Sequence, residues 1–137
     1  MREKLPFGKQ ELETWSETYQ TPFYVYDEAG IRKCVEDLKK AFSWNEGFRE
    51  YFAVKALPTP AILRILASMG CGTDCASISE LILSERSGIS GKKIMFSSNE
   101  TSTAEYQAAC KAGAIINLDD ITMIDCFEKA VEWVLGE

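Results

Sequence analysis

Lys55 is the residue of this sequence whose type and position most clearly suggest chemistry. It directly follows the apolar run 51–54 (YFAV), so we expect it at the carboxyl end of a strand. Barrel active sites collect at that end of the strands. A lysine that loses hydration there has a lowered pKa, and its neutral amine can attack an aldehyde. Position alone also fits a lysine that ends a strand and points into water, which is the more common role.

Other kinds of chemistry are disfavoured by what the sequence lacks. It contains no histidine, which removes the Ser-His and Cys-His nucleophile arrangements. Its five cysteines include one C-x3-C pair, Cys71 and Cys75, but no second pair follows at zinc-site spacing. We therefore predict no metal site. An odd cysteine count without a secretion signal also predicts reduced thiols.

Charge and hydropathy narrow the class of protein. The net charge of −6 argues against a nucleic-acid binder, which would need a basic face. No apolar run approaches the ~20 residues that cross a bilayer. Residues 1–5 carry charges of both signs and lead into no apolar segment, so no signal peptide is expected. We predict a cytoplasmic protein that binds neither nucleic acid nor membranes.

The elements that must position Lys55 alternate between short apolar runs and longer amphipathic stretches. Strands are predicted over 23–27, 51–56, 71–76, 92–98 and 114–119. Helices are predicted over 9–19, 28–43, 60–70, 77–88, 103–113 and 121–135. This alternation predicts a parallel sheet in an α/β fold. The spacing Ser77-x-x-Glu80 predicts a capping box at the start of one helix.

Periodicity cannot separate an open doubly wound sheet from a closed barrel. A (β/α)8 barrel needs eight strands and typically ~250 residues. After a helix in 1–20 and a strand and helix in 21–43, region 50–135 supplies only four βα units. As a barrel, the chain of 137 residues would be half of one.

A series of motifs resembles the alanine-racemase-like, fold-type III family of pyridoxal-phosphate decarboxylases, with the diaminopimelate decarboxylases as the nearest fit. The lysine strand YFAVKA looks like the cofactor-lysine strand of these enzymes. The other motifs follow in family order: TPFYVYD (21–27), ILRIL (62–66), GTDCAS (72–77) with Glu80-Leu81, and IMF (94–96) with Asn99. The resemblance therefore implies a partial barrel of the alanine racemase type and pyridoxal 5'-phosphate as cofactor.

The resemblance also implies roles for individual residues. Lys55 would form the Schiff base with the cofactor, and Asp74 would lie near the cofactor ring and the lysine amine. Asp74 could instead cap the helix that begins near Ser77. Ala53 would leave room for the cofactor, and Ser97 and Asn99 would line the rim of the site.

The implied reaction is decarboxylation of meso-diaminopimelate to lysine in lysine biosynthesis. The family often has histidine, glycine, asparagine and lysine near 97–101, where this chain has SSNET, and its glycines correspond to Ile78 and Ser79. These departures leave open a related ornithine, arginine or carboxynorspermidine decarboxylase or an amino-acid racemase. A non-catalytic half-barrel that binds or regulates also stays open, as does a flavodoxin-like binding domain.

The resemblance carries a further expectation about assembly. In the family, the phosphate loop, the ring-nitrogen partner and the substrate arginine belong to the second half of the enzyme, so we expect this chain to be nearly inactive alone. A half-barrel exposes two strand edges, which favour association or aggregation. A homodimer, or association through those edges, is therefore expected.

Overall fold

The computed structural model describes residues 5–136, apart from the side chain of Trp133, as an α/β fold around one parallel sheet. Its strands are β1 (Tyr51–Ala53), β2 (Gly72–Cys75), β3 (Ile94–Ser98) and β4 (Ile115–Leu118), in the order β1-β2-β3-β4. All three strand pairs are parallel. The helices are α1 (Lys9–Thr18), α2 (Glu28–Ala41), α3 (Pro60–Ser68), α4 (Ile78–Arg86), α5 (Thr103–Lys111) and α6 (Ile124–Gly136). The predicted βα order is therefore confirmed.

Local sequence signals set the ends of the helices that follow the strands. Pro60 occupies the first turn of α3, where its missing N–H costs nothing. Beyond the end of α3, Gly70 adopts φ 80°, a left-handed conformation that favours glycine. At α5, Ser102 and Glu105 form a reciprocal capping box. These signals hold each helix to a length that returns the chain to the sheet for the next strand.

One face of the sheet is covered by helices and contains the core. Four apolar residues on this face are fully buried and pack with Leu63 of α3, Leu81 of α4 and Ala109 of α5. These four residues are Val54, just past the end of β1, and Cys75, Ile94 and Phe96. A second cluster joins Val35 of α2 to α3. We call the face of the sheet that packs against these helices the helix-covered face.

The alternate strand residues form the opposite face, which we call the uncovered face. The register places Ala53, Asp74, Met95 and Ile115 in one row across the four strands. Side chains in register on neighbouring parallel strands project from the same face. Ile115 remains 39% exposed, whereas Ile94 of the helix-covered face is fully buried. None of the four residues in this row belongs to the hydrophobic clusters that the described helices form with the sheet.

The strand predicted over 23–27 is wrong. These residues form no strand, and Tyr24 is 89% exposed. The aromatic and β-branched composition predicted a strand, but a strand also needs a hydrogen-bonding neighbour, and none of the described residues supplies one. Smaller differences concern 92–93 and 121–123, which belong to 3-10 turns rather than to the predicted strand and helix.

Membrane-spanning helices and metal clusters are both absent from the described part of the chain. Within 5–136, no helix is both long and apolar enough to cross a membrane. The same stretch contains no group of three or more histidine, cysteine, aspartate or glutamate side chains arranged to hold a metal ion.

Candidate active site

Lys55 lies immediately beyond the carboxyl end of β1. The strand ends at Ala53, and Val54–Ala56 form a 3-10 turn whose Val54 side chain is fully buried. Burial of Val54 in the core fixes the start of this turn. Lys55 itself is exposed, so the expected loss of hydration is not present in this structure. Lys55 lies past the last paired residue of β1, and it does not belong to the core clusters of the described residues.

Asp74 lies beside Ala53 in the neighbouring strand. The two residues are direct partners in the β1–β2 register. The Asp74 Oδ1 atom is buried and has no hydrogen-bond partner among the described residues. Burial raises the pKa of this carboxyl, the positive charge of Lys55 opposes that rise, and the charge of Glu80 adds to it. Lys55 follows Ala53 by two residues, so it emerges at the end of β1 beside the strand that carries Asp74.

The alternative role of Asp74 as a helix cap is wrong. Ser77 is the N-cap of α4, and its Oγ accepts a hydrogen bond from the N–H of Glu80. Glu80 Oε2 in turn accepts from the N–H of Ala76 at 2.8 Å, one residue before the position expected for a capping box. Because Ser77 and Glu80 already cap this helix, the Asp74 carboxyl does not act as its cap.

Two contacts of the Tyr51 side chain lie at the amino ends of the strands, on the uncovered face. The Tyr51 hydroxyl donates a hydrogen bond to the Lys92 carbonyl at 2.9 Å. A Cβ atom on Gly72 would lie 2.7 Å from Tyr51 Cδ1 and would also clash with the Lys93 carbonyl oxygen. Only glycine therefore lets the Tyr51 side chain approach β2 this closely. These contacts tie the amino ends of β1, β2 and β3 together, opposite the end that carries Lys55.

Ser97 and Asn99 are both predicted to line the rim of the site, but they have different environments in the structure. Ser97 is half-buried on β3, in direct register with Asn117 of β4, and its Oγ accepts a hydrogen bond from Asn117 Nδ2 at 3.0 Å. Asn99 lies beyond the end of β3 in an exposed bend. Asn117 was missed by the sequence reasoning. Its alternate position in the INL stretch was the signal that could have found it, because alternation places it on the face opposite Ile116.

The uncovered face offers what an aldehyde cofactor of this kind requires. Lys55 supplies an accessible amine, Ala53 takes little space beside it, and Asp74 supplies a buried carboxyl oxygen that lacks a partner. A buried polar atom without a hydrogen bond is costly, and such atoms cluster at functional sites. These residues therefore fit a cofactor that carries both an aldehyde and a hydrogen-bonding ring.

Comparison with known proteins identifies the family. Residues 28–133 match the family described as pyridoxal-dependent decarboxylase, pyridoxal binding domain. The chain belongs to this family. Membership confirms the resemblance seen in the sequence and confirms pyridoxal phosphate as the cofactor of the family to which the Lys55 strand belongs.

Individual relatives of the family point in the same direction. The chain is 49% identical over 114 residues to protein TabA of Pseudomonas amygdali pv. tabaci, covering 83% of this chain and 27% of that protein. It is 30% identical over 115 residues to diaminopimelate decarboxylase of Deinococcus radiodurans, covering 84% of this chain and 30% of the relative. The chain thus spans less than a third of the length of these two relatives.

Solved structures of the family confirm the predicted fold. Diaminopimelate decarboxylase from M. jannaschii, in co-complex with L-lysine, matches with a TM-score of 0.83 and 32% identity, over 90% of this chain and 30% of that one. Lysine decarboxylase from Selenomonas ruminantium matches with a TM-score of 0.83 and 25% identity, over 93% of this chain and 34% of that one. The α/β arrangement is therefore that of part of a decarboxylase barrel.

Proposed function

We propose that the chain supplies the cofactor lysine of a pyridoxal-phosphate-dependent amino-acid decarboxylase, and that this lysine is Lys55. One observation carries the proposal: Lys55 and the partnerless Asp74 carboxyl come together at the carboxyl end of the uncovered face. The family match supports the same conclusion, because the family is defined by its pyridoxal-binding domain.

Each residue has a distinct part in this proposal. The cofactor, when bound, accepts the electron pair left behind as the substrate carboxylate departs as carbon dioxide. Lys55 would hold the cofactor through its aldehyde, and its side chain supplies the primary amine that this attachment needs. Asp74 holds its carboxyl beside the Lys55 amine and provides a hydrogen-bonding oxygen toward the ring. Ala53 leaves the space that a larger side chain would fill.

Trapping the cofactor on the chain tests the proposal. Pyridoxal phosphate added to the 137-residue protein should produce a visible absorption band. Borohydride reduction should then fix the cofactor on the peptide that contains Lys55, as read by mass spectrometry. Lys55→Ala should abolish both signals, whereas Lys92→Ala, a matched change of an exposed lysine at the amino end of the sheet, should leave them intact. Equal labelling of many lysines, or no labelling of Lys55, would refute the proposal.

For the substrate, we propose meso-diaminopimelate, and hence a place in lysine biosynthesis in the cytoplasm. Support comes from the diaminopimelate decarboxylases among the relatives, such as those of Deinococcus radiodurans and Archaeoglobus fulgidus. A diamino acid that displaces Lys55 lowers the amount of trapped cofactor. Diaminopimelate should do so at lower concentration than L-lysine or L-ornithine, and the reverse order would favour a related decarboxylase.

A second candidate is a lysine decarboxylase. The observation that favours it is the Selenomonas ruminantium enzyme, whose structure matches with a TM-score of 0.83. The departures at 97–101 fall where the resemblance predicts the rim of the site, and substrate contacts are expected there. The displacement experiment separates the two candidates, because L-lysine would then act at lower concentration than diaminopimelate.

We also propose that the chain associates through its sheet edges. Strands β1 and β4 each have a neighbour on one side only among the described residues. Unpaired strand edges present free N–H and C=O groups that pair with another chain. Sedimentation should therefore show a dimer or larger species, and a stable monomer at high concentration would contradict the proposal.

A further inference from the structure

Asn117 is a polar residue at the carboxyl end of β4 to which neither the resemblance nor the proposed function gives a role. Its Nδ2 donates a hydrogen bond to Ser97 Oγ at 3.0 Å, and the two residues are direct partners in the β3–β4 register. Both therefore project from the same face of the sheet. We call them the Ser97–Asn117 pair.

The register places this pair on the face that carries the proposed site. Ser97 follows Met95 by two residues, and Met95 lies opposite Asp74. Side chains two residues apart in a strand share a face. The pair thus lies one row beyond Asp74, toward the carboxyl ends of the strands. The strands β1 and β2 end at Ala53 and Cys75, so the pair lies at the same carboxyl edge of the sheet at which Lys55 follows β1.

The Ser97–Asn117 pair has two hydrogen-bond donors that the described residues do not use. Because Ser97 Oγ accepts from Asn117, the hydroxyl proton of Ser97 is free to be donated elsewhere. Asn117 keeps a second amide N–H. Within residues 5–136, neither side chain makes another hydrogen bond. Asn117 is exposed and Ser97 is half-buried, so both donors are accessible from the uncovered face.

We propose that the Ser97–Asn117 pair binds an acceptor-only oxygen of the ligand held at Lys55. That oxygen belongs either to the amino-acid carboxylate or to the cofactor. The bond between Ser97 and Asn117 holds both donors in place beforehand, which lowers the entropy cost of binding. Neutral donors also suit a carboxylate that loses its charge in the reaction, because a cation would stabilise the ground state more than the transition state. This inference rests on the proposed function.

The experiment measures the concentration of pyridoxal phosphate that half-saturates trapping on Lys55, and the amino-compound concentration that halves it. L-lysine and cadaverine serve as probes because they differ by the carboxylate. The variants are Asn117→Ala and Ser97→Ala. Ser90→Ala is the matched control, since Ser90 is exposed, precedes the amino end of β3 and makes no side-chain cap.

If the oxygen is the carboxylate, Asn117→Ala and Ser97→Ala should each raise the half-displacing concentration of L-lysine about three- to tenfold, the usual effect of losing one hydrogen bond. Cadaverine should be unaffected. If the oxygen belongs to the cofactor, the half-saturating concentration of pyridoxal phosphate itself should rise by a similar factor. In both cases the double variant should show less than the product of the single effects, because the two side chains act as a unit.

Two results would overturn the inference, and they differ in what they say about the proposed function. Trapping on Lys55 with no change in any variant would refute the binding role of the Ser97–Asn117 pair but would still support the proposed function. No trapping in the unmodified chain would remove both. Should Asn117→Ala fail to fold, Asn117→Asp keeps the shape and replaces donors with a negative charge. It should weaken binding of the oxygen more strongly than the alanine variant, and unchanged binding would again refute the inference.

Discussion

The two faces of the sheet are built from alternating residues of the same strands, and they differ in what they leave exposed. On the helix-covered face, Ile94 and Phe96 are fully buried with their helical partners. On the uncovered face, Asp74 shares a row with Met95 and Ile115, and Ser97 and Asn117 form the next row toward the carboxyl ends of the strands. The first face accounts for the stability of the fold. The second carries the groups that can meet a ligand, and one of them has a buried oxygen without a partner.

The largest expected difference between the faces is in core stability, and two isoleucines measure it. Ile94 is fully buried on the helix-covered face, and Ile115 is 39% exposed on the uncovered face. Ile94→Ala should lower the free energy of unfolding by about 2–5 kcal/mol, the cost of a cavity in a packed core. Ile115→Ala should cost about 1 kcal/mol or less. Urea denaturation of both variants checks this, and equal losses would show that the uncovered face is buried in solution.

A smaller effect is expected at the amino end of the uncovered face. Gly72→Ala places a methyl group 2.7 Å from Tyr51 Cδ1 and against the Lys93 carbonyl, so the sheet must shift. We expect a loss of about 1–3 kcal/mol, the usual cost of overpacking. Gly136→Ala is the control, because nothing lies within 4 Å of its new methyl group.

Removing the Tyr51 ring separates the two contacts at Gly72. Tyr51→Ala relieves one of them, but the Lys93 carbonyl belongs to the backbone and stays in place. Adding Gly72→Ala to Tyr51→Ala should therefore still lower the temperature of thermal unfolding, but by less than Gly72→Ala lowers it in the unmodified chain. Full recovery would show that the ring alone requires glycine at this position.

The smallest expected effect concerns Asp74 and has the opposite sign. Burial raises the pKa of Asp74 in the folded chain, so folding favours the protonated form more than the unfolded chain does. Its stabilising contribution is fully present below the unfolded pKa, near 3.8, and is lost as pH rises through the folded value. Asp74→Asn should therefore make the chain without cofactor slightly more stable at neutral pH.

The effect of Asp74→Asn on stability should depend on pH, and an exposed carboxylate provides the control. The stability difference between Asp74→Asn and the unmodified chain should grow as pH rises from about 3 and then level off, as measured by urea denaturation. Asp37→Asn changes an exposed carboxylate that pairs with Lys33 on a helix surface, and should alter stability by no more than about 0.5 kcal/mol. A less stable Asp74→Asn at neutral pH would show that the charged carboxyl has a favourable partner in the fold.

Several features of the fold could be predicted because their causes are local. Pro60 and Ser77 each act on the backbone of the next few residues, so the starts of α3 and α4 could be placed from the sequence. Apolar runs likewise placed β1 to β4 to within a few residues. The segment 23–27 failed for the complementary reason. Its composition favours a strand, but strand formation depends on a neighbour that lies elsewhere in the chain or outside it.

The candidate site divides in the same way. The motif around Lys55 and the order of the motifs that follow it were enough to identify the family and its cofactor, because both depend on residue identity along the chain. The spacing Ser77-x-x-Glu80 already predicted that these two residues cap α4, and the structure bears this out with local hydrogen bonds. Only the packed structure showed the Asp74 oxygen left without a partner.

Residue types and their spacing determined, by themselves, the alternation of strands and helices and the family, and they predicted Lys55 as the cofactor lysine. Tertiary structure decided which strand residues share a face. It thereby joined Ser97 to Asn117, set Ala53 beside Asp74 and left Lys55 in water. The physical reason is that register and burial depend on how separate segments pair and pack, and a pattern read along one segment does not contain its partner.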